Sequence, residues 1–269
     1  MSTGGFDRVG TKAVARAAIR ESGKAIYITA LVWVILTLLI SYLDSRISYM
    51  NIDMQAFLQA YSIGNIEQAY RIIASREPSF LATVLVALLK IMTAVIGFGF
   101  TIACMRVWRH RRCSPGNIFD GFTIFLRVLW LEICFYFFIF LWSLLLVIPG
   151  IIAAYRYSLA PYLLLDNPDM SPMDCIRESK RMMMGHKGQF FVLDLSFIGY
   201  YLIIAVIQYF SAGLPYLLYL IILCAADVYI QPYVVTSRVG FYHYMISMEP
   251  NYIPKGPGTE PDDGTGTTI

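Results

Sequence analysis

Residues 25–43 of the chain are AIYITALVWVILTLLISYL, an apolar run that contains no charged side chain. A helix needs roughly 20 mostly apolar residues to cross a bilayer, because the hydrocarbon core is about 30 Å thick and the helix rises about 1.5 Å per residue. The run follows a basic leader and lacks a small-residue cleavage site. We therefore expect a retained membrane anchor, because a secretory signal peptide would carry such a site.

Further apolar runs predict an all-α, polytopic membrane helix bundle with about six transmembrane helices between residues 25 and 248. The additional runs are 80–105, 123–147, 151–165, 190–210 and 214–248. The fourth helix is short and contains Arg156 and Pro161, so it either spans with a kink or dips into the bilayer and returns. The composition agrees, with 58% apolar and only 14% charged residues, whereas soluble domains carry about 25% charged residues. The net charge of +3 gives no indication of a nucleic-acid partner.

The distribution of lysine and arginine predicts the orientation. These residues concentrate in the leader 1–24, the connection 106–112 and the segment 177–187. The connection 44–79 has three arginines, and the turns at 149–150 and 211–214 have no basic residue. Because basic flanks stay on the cytoplasmic side, we expect six crossings of a bacterial plasma membrane, with both termini in the cytoplasm.

The leader 1–24 is predicted to be a basic amphipathic helix on the cytoplasmic side. Its basic residues recur at every fourth position, which places them along one helix face. They are Arg8, Lys12, Arg16, Arg20 and Lys24. Such a face suits contact with anionic lipid headgroups, although an ordinary basic flank would have the same composition.

The connection 44–79 is long for a simple turn and predicts a small external helical cap. Asn65 and Gln68 have the spacing of a capping box, and Ile66, Tyr70 and Ile73 share one face of the helix that follows. This cap either contacts a partner or ligand, or only shields the bundle.

Residues 171–185 predict a short cytoplasmic interfacial helix. Ser171 and Pro172 suit its start and Gly185 its end. Met173, Ile176, Met183 and Met184 would lie on its apolar side. The tail 249–269 contains four prolines and four glycines, so we predict a disordered cytoplasmic segment.

Ionisable side chains inside the predicted helices are candidates for an intramembrane polar site. They are Lys90, Arg156, Asp194 and Asp227. A charge at bilayer depth costs roughly 2.5–3.5 kcal/mol, so such groups normally face the bundle interior and find partners. They could line a cavity for a proton, an ion or a lipid headgroup, or form ion pairs that fix helix register. Lys90 and Asp227 are both near mid-depth and could pair, whereas Arg127 and Glu132 are predicted to be interfacial.

Three prolines are predicted to shape the bundle as helix kinks. Pro161 and Pro232 interrupt the fourth and sixth helices, and Pro149 stands at the predicted turn Pro149-Gly150. A proline removes a backbone hydrogen bond and bends the helix that contains it.

Motifs that would indicate catalysis or metal binding were not found. The sequence contains no nucleotide-binding, serine-hydrolase or metalloprotease motif. The five cysteines are scattered, and the three histidines have no metal-ligand spacing. We therefore predict a protein that is not an enzyme, with no catalytic residues, no metal and no cofactor.

A run of short motifs in fixed order resembles a known family. It comprises Ile148-Pro149-Gly150-Ile151-Ile152, Tyr157-Ser158-Leu159-Ala160-Pro161-Tyr162, Asp166-Asn167-Pro168, Cys175-Ile176 and Leu195-Ser196-Phe197-Ile198-Gly199. This pattern resembles the bacterial membrane-protein family called domain of unknown function 975. The chain departs from it in Tyr200, where the family often has tryptophan, and in the long 44–79 connection.

The resemblance implies a membrane bundle over about residues 10–247 and no established activity. The family is distantly similar to the membrane domain of some glycerophosphodiester phosphodiesterases, which implies lipid surroundings. We therefore predict non-enzymatic binding or transport of a small amphiphile or lipid, or a role in envelope homeostasis. The alternative is a membrane scaffold or immunity-type protein that acts through residues 44–79, as a homo-oligomer or with a membrane partner.

Overall fold

The computed structural model describes residues 5–48, 53–74, 79–211 and 215–249, and within these ranges the only regular elements are helices. The described residues divide into two compact units. One unit runs from Leu36 to Thr93, and the other consists of the described residues before Leu36 and after Thr93. The helices are α1 Arg8–Glu21, α2 Lys24–Ser48, α3 Met54–Ser62, α4 Ile66–Ala74, α5 Phe80–Trp108, a 3₁₀ helix Pro115–Ile124, α6 Phe125–Leu145, α7 Val147–Tyr157, α8 Ala160–Asp166, α9 Pro172–Met182, α10 Lys187–Leu195, α11 Ile198–Ser211 and α12 Tyr216–Ser247.

Six helical stretches of the described chain are long and apolar enough to cross a membrane, which confirms the predicted all-α polytopic bundle. The weakest is the fourth, with a mean hydropathy of 1.2 against 1.7 to 2.3 for the others. The stretches are Lys24–Ser48, Phe80–Trp108, Pro115–Leu145, Val147–Asp166, Lys187–Phe210 and Leu218–Ser247.

The reversal between the third and fourth candidate spans lies at Leu146, so the predicted turn at Pro149-Gly150 is wrong by three residues. Leu146 is extended, with φ −165° and ψ 152°, and α7 begins at Val147. Pro149 fits the first turn of α7, because an amide there has no helical partner to lose. A Cβ on Gly150 would lie 2.1 Å from Ser143 Oγ, so glycine permits the close approach of α6 and α7.

The fourth candidate span breaks between α7 and α8, just before Pro161, which is the second residue of α8. The fully buried Ser179 hydroxyl bridges the break. It donates to the Arg156 carbonyl at 3.0 Å and accepts from the Leu159 amide at 3.1 Å. A side chain of α9 therefore satisfies two backbone groups that the interruption leaves without helical partners.

Helix α12 continues through Pro232 without interruption, so a kink at that residue stays a prediction. The predicted turn at Ala212-Gly213 lies outside the described residues. The same is true of the predicted disordered tail beyond Glu249.

The leader forms α1, which packs against α12. Ala15, Ala18 and Ile19 are buried on the face that also carries Lys12. The Lys12 ammonium donates to Ser196 Oγ at 2.6 Å and to the Ser196 carbonyl at 3.3 Å, where α10 ends. Burial, reinforced by two neighbouring arginines, lowers the pKa of Lys12.

Lys12 thus faces the protein, although the sequence suggested a lipid contact. The other four basic residues of the leader are exposed, and for them contact with anionic lipid stays a prediction. They are Arg8, Arg16, Arg20 and Lys24.

Helix α9 matches most of the predicted 171–185 helix. The Ser171 hydroxyl caps it by accepting from the Asp174 amide at 3.2 Å, and Gly185 ends the segment with a φ of +83°. Ile176 and Met183 are buried. Met173 and Met184, predicted on the same face, are exposed.

Within the 44–79 connection the structure describes two short helices, where the sequence predicted one. Only half of the predicted capping box of α4 is present. The Gln68 amide donates to Asn65 Oδ1 at 3.1 Å, but Gln68 Oε1 accepts from the Asn65 side chain at 3.1 Å, and the Asn65 amide donates to the Ala60 carbonyl instead. Ile66, Tyr70 and Ile73 on α4 are exposed. Helix α3 was not predicted.

Candidate binding site

The four ionisable residues predicted to form a polar site are not gathered into one cluster. Lys90 donates to Asp44 Oδ2 at 2.6 Å, a different partner from Asp227. Asp194 pairs with Arg238. Among the described residues, neither Arg156 nor Asp227 has an ion pair. Of the four, Asp194 lines a large cavity in the described part of the chain.

This cavity has a volume of about 540 Å³ and is formed by α5 from Ala94 onward, α6, α7, α8, α10 and α12. One part of its wall is aromatic and another is made of small residues, which together give an apolar interior. The aromatic residues are Phe98, Phe135, Tyr155, Tyr162 and Phe190, and the small ones are Ala94, Gly97 and Ala154.

The polar part of the wall contains three charged side chains, Glu132, Asp194 and Arg238, together with Thr101 and Ser158. Arg238 Nε donates to Asp194 Oδ1 at 2.8 Å. In the described part of the chain, no basic side chain pairs with Glu132. The three charged groups therefore sum to one excess negative charge when all are ionised.

The helix directions bring these groups to one level. Glu132 lies about seven residues after the start of α6, and Asp194 lies about seven residues after the start of α10. Arg238 lies about nine residues before the end of α12. At about 1.5 Å per residue, each lies some 10–14 Å from the helix end nearer the basic connections. The three charged groups therefore lie inside candidate membrane spans.

Sequence analysis missed Glu132 and Arg238. It placed Glu132 at the interface beside Arg127, but Arg127 is 3.8 Å from Asp169 on the exposed surface. The indication available in the sequence was that Glu132 is one helical turn from the apolar residues Val128 and Phe135. In the structure Val128 is fully buried. Arg238 lies late in the apolar run 214–248 and was not named among the candidates.

A second buried polar group joins α5, α8 and α12. Asp166 is fully buried and accepts from Arg109 Nη2 at 2.6 Å and from the Tyr242 hydroxyl at 2.8 Å. Arg109 Nε donates to His243 Nε2 at 3.1 Å. These contacts link Arg109, which directly follows α5, to α8 and α12.

Nothing in the described chain suggests a metal centre. No set of three or more His, Cys, Asp or Glu side chains within the described ranges is arranged to hold an ion.

Comparison with known proteins gives a family match over part of the chain and no function. The profile of a family described as "Protein of unknown function (DUF975)" matches residues 144–249. Neither a curated protein nor a solved structure matches the chain. The matched segment contains Asp194 and Arg238 but not Glu132, and the similarity to phosphodiesterase membrane domains stays a prediction. The resemblance found in the sequence is thus confirmed over residues 144–249, which match the DUF975 family of unknown function.

Proposed function

We propose that this protein is a multi-pass membrane protein that binds or moves a small amphiphile in the cavity between α5, α6, α7, α8, α10 and α12. The observation that carries the proposal is the combination of a 540 Å³ cavity, aromatic and small-residue walls, and charged groups inside apolar spans. Ligand pockets typically have volumes of about 300–1,000 Å³ and mostly apolar walls with a few placed polar groups.

The two kinds of wall favour a ligand that has two kinds of surface. A headgroup would lie beside Glu132, Asp194 and Arg238, and an acyl or alkyl chain would contact Phe98, Phe135 and the small residues. Burying charged side chains in an apolar bundle is costly, and a ligand headgroup would offset that cost.

The proposed setting is a bacterial plasma membrane with both termini in the cytoplasm. The basic segments support this orientation. The exposed Arg8, Arg16, Arg20 and Lys24 on the leader would contact anionic headgroups of the inner leaflet.

Fluorescent probes in nanodiscs of phosphatidylcholine test the proposal. Three probes share a dodecyl chain with a dansyl group at its end and differ in headgroup: trimethylammonium, phosphate or neutral diethylene glycol. Gly97→Leu places a larger side chain in the cavity, where a Cβ at Gly97 meets no atom within 4 Å.

The matched control is Gly199→Leu, which also adds a side chain in open space, on the exposed surface of α11. We expect at least one probe to bind saturably to the wild type and to G199L, and at least tenfold more weakly to G97L. Equal binding to all three proteins, or no saturable binding of any probe, would contradict the proposal.

A second candidate function is a scaffold that acts through α3 and α4. The observation that favours it is the exposure of apolar side chains on α4, of which Ile66 and Tyr70 are each about 70% exposed. The double substitution I66D/Y70D should then remove a co-purifying protein partner. If the same proteins co-purify with this variant and with the wild type, the scaffold function is excluded.

A further inference from the structure

We infer that the headgroup subsite of the cavity selects a cation, an alkylammonium group, with Glu132 as its counter-charge. This inference rests on the proposed amphiphile binding and specifies the class of ligand. Its first support is the balance of charge around the cavity.

Arg238 is already engaged, because its Nε is 2.8 Å from Asp194 Oδ1. An anionic headgroup would have to compete with Asp194 for Arg238, and it would be repelled by Glu132. A cationic headgroup meets a carboxylate for which the described chain supplies no basic partner. Charge-assisted contacts of this kind are among the stronger polar interactions.

The aromatic walls provide the second support. Phe135 is one turn after Glu132 on α6, so both side chains lie on the same helix face. Tyr155 and Phe190 pack edge to face, with their ring centroids 6.0 Å apart and an interplanar angle of 76°. These rings line the same cavity as Glu132, and aromatic faces are the surfaces on which proteins recognise quaternary ammonium groups.

The alternative is that the Glu132 carboxylate binds a proton and no cationic headgroup. A protonated carboxyl would be a neutral polar group, and the cavity would then show no preference for cations. The substitution Glu132→Gln imitates that neutral form with nearly the same shape, so it separates the two possibilities.

The test uses the full chain in phosphatidylcholine nanodiscs and the same trimethylammonium, phosphate and neutral probes. We expect the wild type to bind the trimethylammonium probe at least tenfold more tightly than the phosphate probe. E132Q should weaken trimethylammonium binding about tenfold or more, as expected when a charge-assisted contact is lost, and change neutral-probe binding less than twofold. The control E178Q removes a carboxylate outside the cavity and should change neither affinity.

Equal or tighter binding of the phosphate probe by the wild type would overturn the inference, and this result requires no variant to fold. Unchanged trimethylammonium binding in E132Q would overturn it as well. Suppose that one of these two results is found while the neutral probe still binds more weakly to G97L than to G199L. Amphiphile binding then stands, and only the preference for a cation fails. If no probe binds saturably, both fail.

Discussion

Replacing Ser179 by alanine tests how the interrupted fourth span is held together. The hydroxyl of this fully buried residue joins the Arg156 carbonyl and the Leu159 amide across the break between α7 and α8. Alanine removes both hydrogen bonds and leaves two buried backbone groups unsatisfied. Each such group costs about 1–3 kcal/mol, so we expect S179A to lower the free energy of unfolding by about 2–6 kcal/mol.

Denaturation of purified protein in mild detergent micelles, followed by circular dichroism, measures this loss. The matched control is Ser247→Ala, because the Ser247 hydroxyl is exposed and bonds only to the Tyr244 carbonyl of its own helix, at 2.7 Å. S247A should change the free energy of unfolding by less than about 0.5 kcal/mol. If S179A is as stable as S247A, the hydroxyl bridge does not support the break, and the reasoning is wrong.

Three further predictions concern other buried or paired groups. R109M should lower the free energy of unfolding by about 3–5 kcal/mol, because it leaves the buried Asp166 carboxylate without its cation. The double variant R109M/D166L should be more stable than R109M, and a less stable double variant would contradict the buried pair. K90M and D44L should each lower the yield of folded protein in membranes, since each leaves one charge of the 2.6 Å pair without its partner. The double variant K90M/D44L should restore the yield, and equal yields of the three variants would show that the pair is unimportant. Burial raises the pKa of Cys175 to about 12, so its thiol stays protonated at pH 8, and mass spectrometry should detect maleimide on it only after denaturation.

The six spans were predictable from sequence because a bilayer requires long apolar helices, and that requirement is visible in one dimension. The local ends of helices were also predictable where a cap is local, as with Ser171 before α9 and Gly185 after it. The position of the reversal between the third and fourth spans was not predictable, because Pro149 is equally compatible with a turn between helices and with the first turn of a helix.

Long-range partners account for most of the remaining differences. Pro161 indicates an interruption, but nothing near it in sequence indicates that Ser179, twenty residues later, satisfies the open backbone groups. The sequence prediction allowed a pair between Lys90 and Asp227, because both lie at a similar depth when residues are counted from the helix ends. In the structure Lys90 pairs with Asp44 on α2. Glu132 was assigned to the membrane surface because its distance from a basic flank was counted without knowledge of the cavity beside α6.

Cysteine accessibility in intact cells tests most directly whether the chain crosses a membrane six times with its basic segments inside. Cysteine is placed at Lys180 on α9 or at Gln59 on α3, both exposed, in a chain whose two partly exposed cysteines, Cys113 and Cys224, are replaced by serine. A membrane-impermeant maleimide should label the Gln59→Cys protein in intact cells and the Lys180→Cys protein only after permeabilisation. Labelling of K180C from outside intact cells would contradict the six crossings, and with them the position of the charged cavity wall.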